Sequence, residues 1–166
     1  REELVIKDNP KAQALSELLG CIAPRHRVIV WAVFTQDYAA IRKVCEDLSL
    51  GYTELTGEVS PTAKVEAMDR FATDPHTRVL IGNPSSGGVG CNLTSASYSV
   101  FYSRNFSLEQ DLQAEARNYR GGSEVHEKIT RIDIVAKDTI DEVVLAALAS
   151  KGNVAEKVLE QVRGTR

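Results

Sequence analysis

The chain has few of the residues that mark disulfide-rich, metal-binding and membrane-spanning proteins. Its 166 residues include only three cysteines and three histidines. The cysteines show no C-x-x-C spacing and the histidines lie far apart in the sequence, so neither a zinc site nor a disulfide framework is indicated. No apolar stretch has the length of a membrane span, and no segment resembles a signal peptide. We therefore expect a cytoplasmic, metal-free chain without membrane contact.

The composition also lacks a strong charge of either sign and any flexible linker. The formal net charge is -3, so binding to nucleic acid would need a local patch of donors. A hydrophobic content of 43% and a charged content of 26% are ordinary for a globular protein. Because no Pro/Gly/Ser-rich tract and no internal repeat divides the chain, we expect residues 1–166 to form one domain. Nothing in the composition implies an oligomer.

Segments with the apolar spacing of a strand alternate along the sequence with segments that have the apolar spacing of a helix. Continuous or alternating apolar runs predict strands, and apolar residues at helical spacing predict helices. Asp37 and Ser60 are predicted helix N-caps, Pro61 occupies a first helical position, and Gly51 is a predicted helix stop. The alternation predicts a mainly parallel sheet with helices on both faces, whose ligands bind beyond the carboxyl ends of the strands. The predicted strands are 27–34, 52–55, 78–82, 97–103 and 128–136, and the predicted helices are 11–22, 37–50, 60–73, 108–120 and 138–162.

A glycine-rich stretch, SSGGVGCNLTSA (85–96), follows the predicted strand 78–82 and has too few large side chains for a core. A P-loop is excluded because no Gly-Lys-Ser/Thr occurs in the chain. Gly88 and Gly90 fit the first half of a dinucleotide fingerprint, but Leu93 occupies the third glycine position. The remaining interpretations are a close approach of backbone to a ligand held elsewhere, or an ordinary tight loop.

Two charged motifs follow the glycine-rich stretch. Gln113, Arg117 and Arg120 are spaced to share one helical face, where arginines could brace a transferring phosphoryl group. The alternative is a solvated basic face paired with nearby glutamates. Asp141 and Glu142 open a predicted helix, so they are interpreted as N-terminal carboxylates and not as a magnesium motif.

The ordered set of motifs resembles the second RecA-like lobe of superfamily 2 helicases of the Swi/Snf type. The resemblance rests on GGVGCNLT, on DLQAEARNYR, on RVIVWAVFTQ and on KDTIDEVVLAAL, and it covers nearly the whole chain. It implies a three-layer α/β/α RecA-like domain that serves as the C-terminal motor lobe of a DNA-dependent ATPase. ATP with Mg²⁺ would be bound mainly by a first lobe that carries the P-loop and lies outside this sequence. The partners would be that first lobe and duplex DNA, and the chain alone would be inactive.

The resemblance also assigns roles by position. Gln113, Arg117 and Arg120 would close on ATP, with the two arginines as fingers. The glycines expected against the nucleotide are Gly87, Gly88 and Gly90. The residues expected near the DNA backbone are Phe34, Thr35, Gln36, Asn83, Ser85, Ser86 and Thr94.

The chain departs from the family pattern in one motif and has one feature of a subgroup. The family continues R-A-H-R-I-G-Q, whereas this chain reads RNYRGGS (117–123), which keeps both arginines but not the histidine and glutamine. The stretch FYSRNFSLEQDLQ is similar to phage and bacterial members, which indicates a bacterial or phage-infected cell.

Two other functions remain open on the sequence. One is a stand-alone binding lobe that regulates a partner. The other is the nucleotide-sugar-binding lobe of a glycosyltransferase, which would need a glutamate pair downstream of the glycine loop that residues 109–127 do not supply.

Overall fold

The structure, a computed structural model, describes residues 9–57, 59–85, 93–104, 112, 129–136 and 141–152. Strands and helices alternate along the chain, as the sequence predicts. Residues 141–152 form a further helix in the described part. The other elements are α1 (Pro10–Ile22), β1 (Val28–Trp31), α2 (Thr35–Asp47), β2 (Gly51–Leu55), α3 (Pro61–Thr73), β3 (Thr77–Gly82), β4 (Tyr98–Phe101) and β5 (Thr130–Asp133).

The five strands form one sheet in the order β2-β3-β1-β4-β5. All four pairings between these strands are parallel, which confirms the prediction of a mainly parallel sheet. The centre of the sheet is β1, where Val28 is aligned with Val79 on one side and with Tyr98 on the other. The carboxyl ends of all five strands therefore lie along one edge, called the carboxyl edge below, and their amino ends lie along the opposite amino edge.

The sheet separates two hydrophobic cores. Alternate residues of β1 point to opposite faces, so Val28 and Val30 belong to one core and Ile29 and Trp31 to the other. Helices α1 and α2 cover the first face, and α3 covers the second with Phe71. Helices on both sides of a parallel sheet are the expected three-layer α/β/α arrangement.

Helix ends agree with the predictions at α3 and differ at α2. Ser60 caps α3, since its hydroxyl accepts a hydrogen bond from the Ala63 N–H, and Pro61 is the first helical residue, as predicted. Asp37 is not the N-cap of α2, because the helix already begins at Thr35 and Asp37 lies in its first turn. Gly51 does not stop α2 either. The helix ends at Asp47, and Gly51 opens β2 where a side chain would collide with the His76 carbonyl oxygen.

The segment after β3 contributes to the core, contrary to the expectation from its small residues. Leu93 and Ala96 are buried in the second core beside Trp31 and Phe101. Because β3 and β4 are parallel, the chain between them has to return from the carboxyl edge to the amino edge. Leu93 and Ala96 lie on this return and fix it against the sheet.

Gly82, the last residue of β3, is aligned with Trp31 on β1. A methyl group on Gly82 would lie 2.8 Å from Cζ3 of the Trp31 ring, closer than carbon atoms pack. The indole itself is held by a hydrogen bond of 2.9 Å from its N–H to the Ser99 hydroxyl. Glycine is required here because the wide ring of Trp31 occupies the space of a side chain.

No helix in the described part of the chain is long and apolar enough to cross a membrane.

Candidate nucleic-acid interface

Two chain segments meet at the carboxyl edge through the side chain of Tyr38. This tyrosine lies one turn into α2 and is buried, and its hydroxyl donates to the Ala32 carbonyl just after β1, over 3.0 Å. The same oxygen accepts a hydrogen bond of 2.8 Å from the side-chain amide of Asn83. Tyr38 therefore ties the start of α2 to the first residue after β3. Sequence reasoning did not select Tyr38, since a single tyrosine inside a helical pattern gives no functional signal.

The side chain of Asn83 organises the first residues after β3. Its amide oxygen accepts from both the N–H and the hydroxyl of Ser85, at 2.9 and 2.6 Å. Its own N–H donates to the carbonyl of Leu55 at the end of β2, over 3.1 Å. These bonds hold Asn83 within the protein and leave Ser85 exposed at the edge. Asn83 thus positions the segment, and its predicted DNA contact stays a prediction.

Helix α2 begins at this edge without a side-chain cap. Asn9 and Ser60 each cap their own helix through a side-chain oxygen, whereas Phe34 at the N-cap position of α2 has no such bond. The N–H groups of Thr35 and Gln36 have no hydrogen-bond acceptor among the described residues. An uncapped first turn combines free N–H donors with the positive end of the helix dipole, which suits a phosphate.

The side chains around this turn are exposed. Phe34 exposes 51% of its surface, although it is a large apolar side chain. Thr35 and Gln36 are also exposed and supply hydroxyl and amide donors. The structure thus places the three residues of the predicted FTQ contact at one exposed corner, next to Asn83 and Ser85.

Asp37 is the acidic group closest in sequence to this corner. Burial raises the pKa of its carboxyl, while the hydrogen bond from Ser103 and the charge of Lys11 lower it, and the charge of Asp141 raises it further. The Ser103 hydroxyl oxygen also accepts a hydrogen bond of 3.0 Å from the Val33 N–H. Ser103 therefore joins the end of β4 to the segment that leads into α2.

The position of Thr94 follows from the turn that contains it. It is half-buried in a turn closed by the Ala96 N–H and the Leu93 carbonyl. Three residues later, the Ser97 N–H donates to the Arg27 carbonyl at the amino edge. Thr94 therefore lies on the return segment, and its contact with DNA stays a prediction.

Several predicted site residues lie outside the described residues: Ser86, Gly87, Gly88, Gly90, Gln113, Arg117 and Arg120. Their roles at the nucleotide stay predictions. Asp141 is described, and it has structural partners: its carboxylate forms an ion pair with Lys11 and accepts a hydrogen bond from the Ala136 N–H. This agrees with its interpretation as a carboxylate at a helix start. In the described part of the chain no group of three or more His, Cys, Asp or Glu could hold a metal ion.

The sequence matches a family model described as the helicase conserved C-terminal domain over residues 10–122. The chain is 30% identical over 135 residues to the ATP-dependent helicase fft1 of Schizosaccharomyces pombe, an alignment that spans 81% of this chain and 14% of the relative. It is 29% identical to a chromodomain-helicase-DNA-binding protein 1-like of Mus musculus, over 95% of this chain and 17% of the relative. It is also 29% identical to the human DNA repair and recombination protein RAD54B, over 93% of this chain and 17% of the relative. The chain thus spans less than a fifth of the length of these relatives.

A solved structure has the same fold. The C-terminal part of the Fun30 ATPase domain superposes with a TM-score of 0.76 at 25% identity, and the match covers 83% of this chain and 44% of that one. The predicted RecA-like α/β fold is thereby confirmed. The relatives named above are fungal and animal proteins, so the expected closeness to phage and bacterial members, and with it a bacterial or phage setting, has no support from them.

Proposed function

Because this chain belongs to the helicase conserved C-terminal domain family and is a Swi/Snf-type homologue, we propose that it is the second motor lobe of a DNA-dependent ATPase. Residues 1–166 would form this lobe, and a first RecA-like lobe with the P-loop would be supplied elsewhere in the protein. That first lobe would bind most of the ATP and its Mg²⁺. Two of the relatives are named as ATP-dependent helicase and as DNA repair and recombination protein, which supports ATP and DNA as ligands.

The observation that carries the DNA contact is the uncapped start of α2. Helices α1 and α3 have proline at their first position, Pro10 and Pro61, and so have no N–H there. Helix α2 has Thr35 at the same position and retains this donor. Together with the Gln36 N–H it forms a small anion site that contacts the phosphate backbone and reads no base. Contacts of this kind suit a motor that moves along DNA of any sequence.

Phe34 and the segment after β3 complete the contact. The exposed ring of Phe34 lies against the sugars beside the phosphate, and Ser85 supplies a further hydroxyl donor. Tyr38 and Asn83 hold the two segments at a fixed separation. As the two lobes open and close around ATP, this corner moves with the second lobe and shifts its contact along the backbone.

At the nucleotide, Gly87, Gly88 and Gly90 would allow close approach, and Gln113, Arg117 and Arg120 would close on the phosphates. The described residues of this chain include no group of three or more His, Cys, Asp or Glu that could hold the metal ion. When bound, Mg²⁺ would neutralise phosphate charge beside the first lobe. The chain alone would neither bind ATP usefully nor hydrolyse it, and isothermal titration with ATP checks this.

A proline substitution tests the DNA contact. Thr35→Pro removes the first N–H of α2, and the helix tolerates it because Phe34 already has the extended backbone that precedes a proline, with φ -108° and ψ 137°. We expect at least about tenfold weaker binding of a labelled duplex in low salt, since a hydrogen bond to a charged group contributes about 1.5 kcal/mol or more. Thr35→Ala, which removes only the hydroxyl, is the matched control and should bind more tightly than Thr35→Pro. Equal affinity of Thr35→Pro and the unaltered chain, at equal thermal stability, would refute the contact.

A further inference from the structure

Four arginines lie on chain segments at the amino edge, opposite the proposed DNA contact. Val28 is aligned with Val79, so the preceding residues, Arg27 and Arg78, occupy neighbouring positions on adjacent strands. Arg25 is exposed in the loop between α1 and β1, two residues before Arg27. Arg70 lies in the last turn of α3, which leads into the loop before β3. These four residues are called the arginine cluster below.

Two members of the cluster hold the loops of this edge in place. The Arg78 guanidinium donates from Nε to the Ala23 carbonyl over 2.8 Å. The Arg27 guanidinium donates from Nη2 to the Asp74 carbonyl over 3.4 Å. Both guanidinium groups therefore have a fixed direction, and each keeps further N–H donors, since a guanidinium has five. A preformed fork loses less entropy when it binds an anion.

The arginine cluster differs from the other described arginines in its ion pairing. Among the described residues, the other three arginines all form ion pairs: Arg42 with Glu54, and both Arg104 and Arg131 with Asp133. None of the four cluster arginines has an ion-pair partner there.

The carboxylate of Asp74, in the loop that Arg27 holds, is already engaged. It accepts hydrogen bonds from the Thr77 hydroxyl over 2.7 Å and from the His76 N–H over 3.0 Å. These two bonds and, to a smaller extent, the charges of His76 and Arg70 lower the pKa of Asp74. Burial and, to a smaller extent, the charge of Arg27 lower the pKa of Arg78, as expected of two guanidinium groups at neighbouring positions. An anion bound at this edge would relieve the repulsion between the two charges.

We propose that the arginine cluster is a second nucleic-acid contact, which binds backbone phosphates of a DNA segment other than the one at the carboxyl edge. The chain has a formal net charge of -3, so attraction of DNA needs such a local positive patch. Guanidinium groups match phosphate oxygens in a bidentate geometry. The two contacts lie at opposite edges of the sheet, so they bind different phosphates. The nature of the partner rests on the proposed function, but the cluster does not depend on the contacts of α2.

Charge reversal at the two outer arginines tests the cluster in the full 166-residue chain. Arg25→Glu combined with Arg70→Glu leaves the loop contacts of Arg27 and Arg78 intact. We expect at least about fivefold weaker binding of a labelled 20-base-pair duplex. The slope of log binding constant against log salt concentration should fall by the equivalent of about 1–2 phosphate contacts. The matched control is Lys43→Glu combined with Lys151→Glu, which makes the same change in net charge at two exposed lysines and should stay within about twofold. Thermal unfolding shows whether both variants fold. If the double glutamate variant of the cluster does not fold, Arg25→Gln combined with Arg70→Gln takes its place.

The outcomes separate this proposal from its alternatives. If the cluster variant and the lysine control lose affinity equally, only the overall charge matters and the proposal is wrong. If the cluster variant keeps its duplex affinity but loses binding of poly-glutamate, the surface recognises an acidic protein and the DNA proposal is overturned. Thr35→Pro is measured in the same assay. If Thr35→Pro alone keeps the duplex affinity of the parent, the carboxyl-edge contact is wrong. If Thr35→Pro and the cluster variant both keep it, DNA is not the ligand of this chain.

Discussion

The side-chain amide of Asn83 donates to the hydroxyl of Tyr38 over 2.8 Å, and this bond joins the end of β3 to the start of α2. Tyr38 is buried and passes the connection on to the Ala32 carbonyl. The two segments that carry the proposed DNA contacts are therefore held by one phenol oxygen, 45 residues from Asn83 in the chain.

Tyr38→Phe tests this connection. The change removes the donor to Ala32 and the acceptor of Asn83 and keeps the buried ring, so we expect a loss of about 1–2 kcal/mol in the free energy of unfolding. Duplex binding should weaken as well, because the two segments lose their fixed separation. Urea unfolding and fluorescence anisotropy measure the two effects. Tyr52→Phe is the control, since its hydroxyl donates to Glu46 at the surface and its loss should change neither value much. Unchanged stability of Tyr38→Phe would show that the bond has no structural role.

Gly82→Ala should destabilise the protein because its methyl group would meet the Trp31 ring. Overpacking of this kind costs about 1–3 kcal/mol. Gly20→Ala in α1 is the matched control: nothing lies within 4 Å of the added methyl, so alanine should raise stability by about 0.5–1 kcal/mol. Chemical unfolding of both variants gives the comparison. A Gly82→Ala variant as stable as the parent would contradict the packing of Trp31.

The stability of the chain should depend on pH through Asp37. Its folded pKa is raised, mainly by burial, so the folded state holds this proton more tightly than the unfolded state. Between the two pKa values stability therefore falls as pH rises, and the loss is complete above the folded pKa. Relative to the parent, Asp37→Asn should gain stability as pH rises through this window. Urea titrations at a series of pH values detect the gain, and Asp47→Asn, on the exposed side of α2, should follow the parent. A constant difference between parent and Asp37→Asn at all pH values would contradict the raised pKa.

Cys45 should be inert to thiol reagents in the folded chain. Burial, with the charges of Glu46 and Glu54, raises its pKa to about 12, so almost no thiolate forms at neutral pH. Cys21 is exposed and should react with iodoacetamide while the chain is folded. Peptide mapping by mass spectrometry follows each cysteine separately. Labelling of Cys45 as fast as Cys21 without denaturant would show that α2 opens.

The arginine fingers are tested in the two-lobe protein. If Arg117 and Arg120 stabilise charge on the transferring phosphoryl group, each change to lysine should reduce DNA-stimulated ATP turnover by about a thousandfold, because lysine lacks the planar fork. Folding and DNA affinity should stay nearly unchanged. Arg42→Lys, in the ion pair with Glu54, is a control with the same chemical change outside this face and outside both proposed DNA contacts. Near-normal turnover of both finger variants would favour the solvated basic face.

The order of the described elements, the parallel sheet and the family can be predicted from the sequence alone. Hydrophobic period and helix-start residues such as Ser60 and Pro61 act over a few neighbours, so they can be recognised without the fold. The sequence also selected Phe34, Thr35 and Gln36, although it placed the start of α2 at Asp37. The first turn of α2 lacks a side-chain cap. A prediction that relies on a capping residue therefore places the helix start at the nearest one, Asp37.

Contacts between residues that are far apart in the chain depend on the tertiary fold. Strand register places Arg27 beside Arg78 and Trp31 beside Gly82, and no local pattern contains that register. Burial of Leu93 depends on the face of the sheet that the return segment crosses. The link from Tyr38 to Asn83 likewise depends on the packing of α2 against the sheet. Local propensity is read along the chain, whereas hydrogen bonds and repulsions between remote groups exist only once the strands are aligned.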